Sequence, residues 1–240
     1  MGRQPAVSRL LCAVDTTDLD VATSLARRLK GRVGGLKLGL ELFCAHGPAG
    51  VAKVVGLEHR LFLDLKLHDI PNTVAGGLRG IAPLQPFLTT VHAAGGAAML
   101  RGAMAAALRA GEQNGADRPK VLAVTLLTSI DKNDLTSIGM KGPVRDQVLR
   151  LADLAREAGA DGVVCSALEV RALRERCGED FLLVVPGVRP AWSTAHDQKR
   201  IVTPAEAIGA GADYLVVGRP ITQAKDPVEA AGLILDEMGA

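Results

Sequence analysis

Two lysines and two aspartates stand where charge is unfavourable unless it is used. Asp64 and Lys66 lie two residues apart at the end of an apolar run, in Leu63-Asp64-Leu65-Lys66-Leu67-His68-Asp69-Ile70-Pro71-Asn72-Thr73. Alternate residues of a strand share a face, so the two side chains point the same way. Charge at a buried strand end must pair or meet a ligand. Lys37 sits in Gly34-Gly35-Leu36-Lys37-Leu38-Gly39, a run otherwise small and apolar. If the two runs are neighbouring strands, Lys37 reaches Asp64 and Lys66. With Asp69 these residues make an alternating, nearly neutral array able to meet negative charge with an ammonium. The plainer alternative is an ion-pair network plugging the end of the fold, with Asp69 or Asn72 capping the helix that Pro71 starts.

A second constellation suits an anion. The strand-like run Tyr214–Val217 stops at Gly218-Arg219-Pro220, and another ends in Pro186-Gly187-Val188-Arg189. Glycine lets backbone N–H groups approach closely, and arginine offers a fork matched to phosphate oxygens. An ordinary turn with a surface arginine is the alternative for either run alone.

The elements that must position these residues are short aliphatic runs between helical patterns. They are Leu10–Val14, Leu36–Leu40, Leu61–Leu65, Leu88–His92, Val121–Leu126, Gly162–Cys165, Leu182–Val185 and Tyr214–Val217. Strands alternating with helices imply parallel βα units, and eight of them point to closure. The expectation is an α/β chain with one domain over residues 1–240, a single-domain (β/α)8 TIM barrel. Asp18 caps a helix over Leu19–Leu29 that ends before Gly31. Gly159-Ala160-Asp161-Gly162-Val163-Val164 echoes Gly211-Ala212-Asp213-Tyr214-Leu215-Val216, each ending a helix and starting a strand. Two long polar connections, Thr128 to about Pro143 and Pro186 to about Thr203, leave strand ends where barrel enzymes place their chemistry.

Hydrophobic residues make up 48% of the 240 and aromatics 2%, so the core is aliphatic. The formal charge is +2, with Lys and Arg scattered. Nucleic acid is not expected as a partner, because neither a basic stripe nor stacking platforms are present. No apolar run spans a membrane, and the first ten residues lack the apolar core of a signal peptide, which places the expected site of action in the cytoplasm. Cys12, Cys44, Cys165 and Cys177 show no C-x-x-C spacing and read as reduced core thiols. His46, His59, His68, His92 and His196 show no metal-ligand spacing, and His92 reads as a core or rim residue.

Taken in order, several blocks resemble the bacterial orotidine 5′-phosphate decarboxylase family. They are Leu11-Cys12-Ala13-Val14-Asp15, Lys37, the run from Asp64 to Thr73, Val124-Thr125-Leu126-Leu127-Thr128-Ser129, and Asp161-Gly162-Val163-Val164-Cys165-Ser166. They continue with Pro186-Gly187-Val188-Arg189-Pro190, Asp197-Gln198-Lys199-Arg200 and Val217-Gly218-Arg219-Pro220-Ile221-Thr222. The resemblance implies cofactor-free, metal-free decarboxylation of orotidine 5′-monophosphate (OMP) to UMP and CO₂. It implies that Lys66 stabilises and protonates the C6 carbanion, that Asp64 lies against the substrate carboxylate, and that Lys37 orients Asp64 and contacts the ribose. Asp15 would bind the ribose or base region, and Thr128 and Ser129 the pyrimidine edge. Arg219, the Gly218 amide, Arg189 and Gln198 would hold the phosphate. Asp69 would serve the neighbouring subunit of a homodimer with shared active sites, and Ile70 and Thr73 would be among the substrate-binding residues. Two other readings stay open: a magnesium-dependent sugar-phosphate barrel, which needs further carboxylates, and a non-catalytic nucleotide-binding module.

Overall fold

The aliphatic runs form eight parallel strands: β1 (Leu10–Val14), β2 (Gly35–Gly39), β3 (Leu61–Leu67), β4 (Leu88–His92), β5 (Lys120–Val124), β6 (Gly162–Val164), β7 (Leu182–Pro186) and β8 (Tyr214–Val217). Each pairs with the next, and β8 returns to β1 through Leu10↔Leu215 and Cys12↔Val217, closing the barrel. Helices follow the strands in alternation, giving the expected single-domain (β/α)8 TIM barrel. This computed structural model describes residues 5–56, 58–115, 117–192 and 202–239.

Strand alternation divides the core in two. Leu11, Ala13, Phe62, Leu88, Leu122, Val184, Tyr214 and Val216 fill the barrel interior. Their neighbours in sequence, such as Leu10, Cys12, Leu61, Leu63 and Leu215, face outward beneath the helices. Small and branched side chains suit strands covered on both faces, which explains how so large a core forms with few aromatics.

Local signals set most helix ends. Asp18 accepts from the Asp20 and Val21 amides and starts Leu19–Leu29. Pro71 opens Pro71–Ile81, but neither Asp69 nor Asn72 caps it: the N-cap is Ile70, without a side-chain bond. The Asp69 carboxylate instead accepts from the Ile70 amide at 2.6 Å.

The echo between residues 159–164 and 211–216 is one device used twice. Gly159 (φ 87°) and Gly211 (φ 110°) supply the left-handed residue that ends a helix. Asp161 then accepts from the Val121 amide at 2.8 Å and from both Arg118 amino groups at 2.7 Å. Asp213 accepts from the Leu183 amide and from Arg174, each at 2.7 Å. Each aspartate ties the start of the preceding strand to an arginine at the N-terminal end of the barrel.

Several boundaries differ from expectation. Strand β2 begins one residue earlier and stops at Gly39, because Leu40 starts a helix and is exposed. Strand β5 ends at Val124, so Thr125 and Leu126 already belong to the mouth. Strand β3 runs on to Leu67. The connection after Thr128 contains a short helix, Lys132–Ser137, closed by a reciprocal Asp131–Asp134 cap. In the other long connection, Arg189 N donates to Val202 O at 3.0 Å. Residues 193–201 of that connection, with Gln198, His196 and the Asp197–Arg200 block, lie outside the described residues. Among the cysteines, Cys12 and Cys165 are buried as expected, but Cys44 is exposed and Cys177 half-buried; all four are free. Burial pushes the Cys12 thiol up to about 12 and raises Cys165 too, so neither is a nucleophile near neutral pH.

Candidate active site

The C-terminal mouth of the barrel holds a cavity of about 330 Å³, within the range of small-molecule sites. Phe62 and Ala13 from the interior layer form its floor; Val124, Leu126, Val164 and Pro186 make an apolar wall. Of the expected residues, Asp15, Lys37, Asp64, Lys66, Thr128, Arg189, Gly218 and Arg219 all line it. Asp69, Ile70, Thr73 and Ser129 do not line it and are exposed at the rim.

The charges form a chain across β1, β2 and β3. Lys66 Nζ lies 2.7 Å from Asp64 Oδ2. Lys37 Nζ lies 3.7 Å from the same oxygen and 2.9 Å from Asp15 Oδ1. Asp64 is buried, and a buried carboxylate is tolerable only when ammonium groups and hydrogen-bond donors replace lost water. Two aspartates and two lysines cancel in charge, so the cluster is held without counter-ions. Lys37 starts a layer lower, opposite Phe62, and bends up toward the mouth. Gly39 leaves room for that bend, since a Cβ there would meet Lys37 Nζ at 3.2 Å.

Strand β3 does not reach this geometry by plain alternation. Its register against β4 shifts between Leu63 and Leu67, and Lys66 takes a left-handed backbone (φ 50°). The ammonium still turns to Asp64 as the two-residue spacing implied. Thr90, unflagged by the sequence reading, donates to Asp64 Oδ1 at 2.9 Å. A polar residue in the aliphatic run of β4 was the available signal. His92, also on β4, is half-buried with its ring centroid 5.3 Å from that of His68. Burial first, then His68 and Lys66, lower the His92 pKa, with Asp64 opposing.

Strands β7 and β8 end in the two Gly/Arg corners, and Gly187, Arg189, Gly218 and Arg219 line the same cavity. Gly187 (φ 79°) makes a left-handed turn out of β7 that favours glycine. Arg189 beyond it is buried, whereas Arg219 is exposed at the start of the short helix Arg219–Thr222. The same cavity is therefore lined by the mixed-charge array after β1, β2 and β3 and by the arginine corners after β7 and β8.

A closed barrel whose C-terminal mouth holds a cavity lined by an ammonium–carboxylate array around a buried aspartate defines a (β/α)8-barrel enzyme. More narrowly, the chain belongs to the orotidine 5′-phosphate decarboxylase / HUMPS family, whose model matches residues 8–234. It is 57% identical to the orotidine 5′-phosphate decarboxylase of Paramagnetospirillum magneticum, over 97% of this chain and 99% of that protein. Identity to the orotidine 5′-phosphate decarboxylase of Rhodospirillum rubrum is also 57%, over 94% of this chain and 92% of that one. The crystal structure of orotidine 5′-phosphate decarboxylase from Lactobacillus acidophilus superposes with a TM-score of 0.85 at 41% identity, covering 96% of this chain and 99% of that one.

Proposed function

We propose that the chain decarboxylates OMP to UMP and CO₂ in pyrimidine biosynthesis, with Lys66 as the group that meets and protonates C6. The carrying observation is the ion-pair chain Asp15–Lys37–Asp64–Lys66, built around the buried Asp64 carboxylate and lining one cavity together with Gly218 and Arg219. Breaking the C6–carboxylate bond leaves its electron pair in the plane of the ring, where the π-system cannot spread it. A fixed ammonium aimed at C6 in a water-poor site lowers that barrier. Lys66 then gives its proton to C6, CO₂ departs, and solvent reprotonates the amine. The apolar wall of Val124, Leu126, Val164 and Pro186 keeps the surrounding dielectric low.

Asp64 lies against the substrate carboxylate, where repulsion fades as CO₂ leaves. Lys37 orients Asp64 and, with Asp15, meets the ribose side. Thr128 and Ser129 meet the pyrimidine edge. Arg219, the Gly218 amide, Arg189 and Gln198 hold the phosphate. Asp69 is exposed outside the cavity lining, which supports a role in the site of a neighbouring copy, in a homodimer with shared active sites; Ile70 and Thr73, exposed beside it, bind substrate. Among the described residues no helix is long and apolar enough to cross a membrane, consistent with a cytoplasmic enzyme made of one catalytic domain over residues 1–240.

The sugar-phosphate alternative uses a divalent cation held by several carboxylates. Here Asp64 has ammonium groups at 2.7 and 3.7 Å, a donor set that repels a dication. One assay separates the readings: purified protein is mixed with OMP and excess EDTA, and loss of OMP absorbance and CO₂ release are followed. Turnover in chelator is expected. Turnover abolished by EDTA favours the metal-dependent alternative, and tight UMP binding without turnover favours a binding module.

A further inference from the structure

The pairs Leu63↔Thr89 and Leu67↔Val91 bracket the irregular stretch of the β3–β4 ladder. Between them β3 contributes residues 64, 65 and 66, whereas β4 contributes only Thr90. That side chain is fully buried, and its hydroxyl makes two bonds. It donates to Asp64 Oδ1 at 2.9 Å and accepts from the Lys66 backbone amide at 2.9 Å. With Oδ1 engaged by Thr90, Asp64 presents Oδ2 to the two ammonium groups. The second bond anchors a non-glycine residue held in a left-handed conformation (φ 50°), where an unanchored backbone would relax.

We infer that Thr90 is a positioning residue for the reaction, its hydroxyl fixing both the Asp64 carboxylate and the backbone from which Lys66 aims its ammonium. This rests on the decarboxylase reading of the same site. A hydroxyl is required because one atom must donate to a carboxylate and accept from an amide at once. The neighbouring Thr89 is an internal control: it too is fully buried, but its hydroxyl has no hydrogen-bond partner among the described residues.

The test compares T90V, T90S and T89V with the parent protein through kcat and KM for OMP, thermal unfolding, and hydrogen exchange of the Lys66 amide by NMR. T90V is expected to lower kcat about 10- to 100-fold with KM within about threefold, and to speed Lys66 amide exchange at least about tenfold. T90S should stay within about threefold of the parent in kcat, and T89V should match it. Should T90V fail to fold, T90A carries the same comparison. The inference is overturned if T90V keeps kcat within about twofold, if T90S is as impaired as T90V, or if the loss falls on KM alone. Absence of OMP turnover by the parent overturns the decarboxylase reading instead, and the amide exchange then still decides whether Thr90 anchors Lys66.

Discussion

Under the proposed reading, Lys66 and Arg219 act at opposite ends of one ligand, and their removal should leave different signatures. K66A removes a charge that matters most as the carbanion forms, so kcat should fall by at least about 10³-fold while UMP affinity changes less than about tenfold. R219A removes a contact remote from the chemistry and should raise KM about 10- to 100-fold, with part of the effect in kcat if phosphate contacts help close the site. Steady-state kinetics together with UMP titration would separate them, and equal losses on both parameters for both variants would contradict the assigned roles. His92 carries a separate consequence. Burial and the nearby His68 and Lys66 hold its pKa below the ordinary 6.5. The unfolded chain therefore binds this proton at a higher pH than the folded one. The contribution of neutral His92 to stability is complete above pH 6.5 and is lost as pH falls through the interval below it. Melting temperatures measured across that interval should decline less steeply for H92Q; an unchanged slope would remove His92 from the account.

Among the elements, the paired Asp161 and Asp213 clamps bear on stability rather than chemistry, since they lie at the end of the barrel away from the cavity. D161N gives up a two-pronged ion pair with Arg118 and weakens the acceptor for the Val121 amide. We expect it to cost about 1–3 kcal/mol in urea unfolding with kcat of the folded protein unchanged. An unaltered urea midpoint would show that the clamp is dispensable. The repeated Gly-Ala-Asp was legible as a helix end before a strand, because glycine and aliphatic runs are local signals. Its arginine partners were not, since Arg174 and Asp213 are 39 residues apart and meet only when β7 and β8 pair. Strand β3 shows the same division. The two-residue spacing predicted that Lys66 and Asp64 would meet, and they do at 2.7 Å, but through a register shift and a left-handed Lys66 that depend on how β4 lies beside the strand.

For the molecule as a whole, the rim position of Asp69, Ile70 and Thr73 makes assembly a functional question. If Asp69 serves the neighbouring subunit, K66A and D69A homodimers are each impaired, whereas a mixed dimer contains one intact site. Unfolding the two variants together and refolding them should restore about a quarter of parental activity, by random assortment into a symmetric dimer. Activity no higher than the average of the separate variants would place Asp69 in its own subunit's site.

The sequence by itself determined the strand count, the apolar interior and the charged residue types that line the cavity. Those depend on local periodicity, on turn chemistry, and on the unfavourable burial of unpaired charge. Tertiary structure alone decided barrel closure, the ascent of Lys37 past Phe62 to reach Asp15 and Asp64, and the choice of Thr90 as the hydroxyl behind the array. These are contacts between strands distant in the chain, and their register follows from packing eight strands around one axis, which no local window of sequence contains.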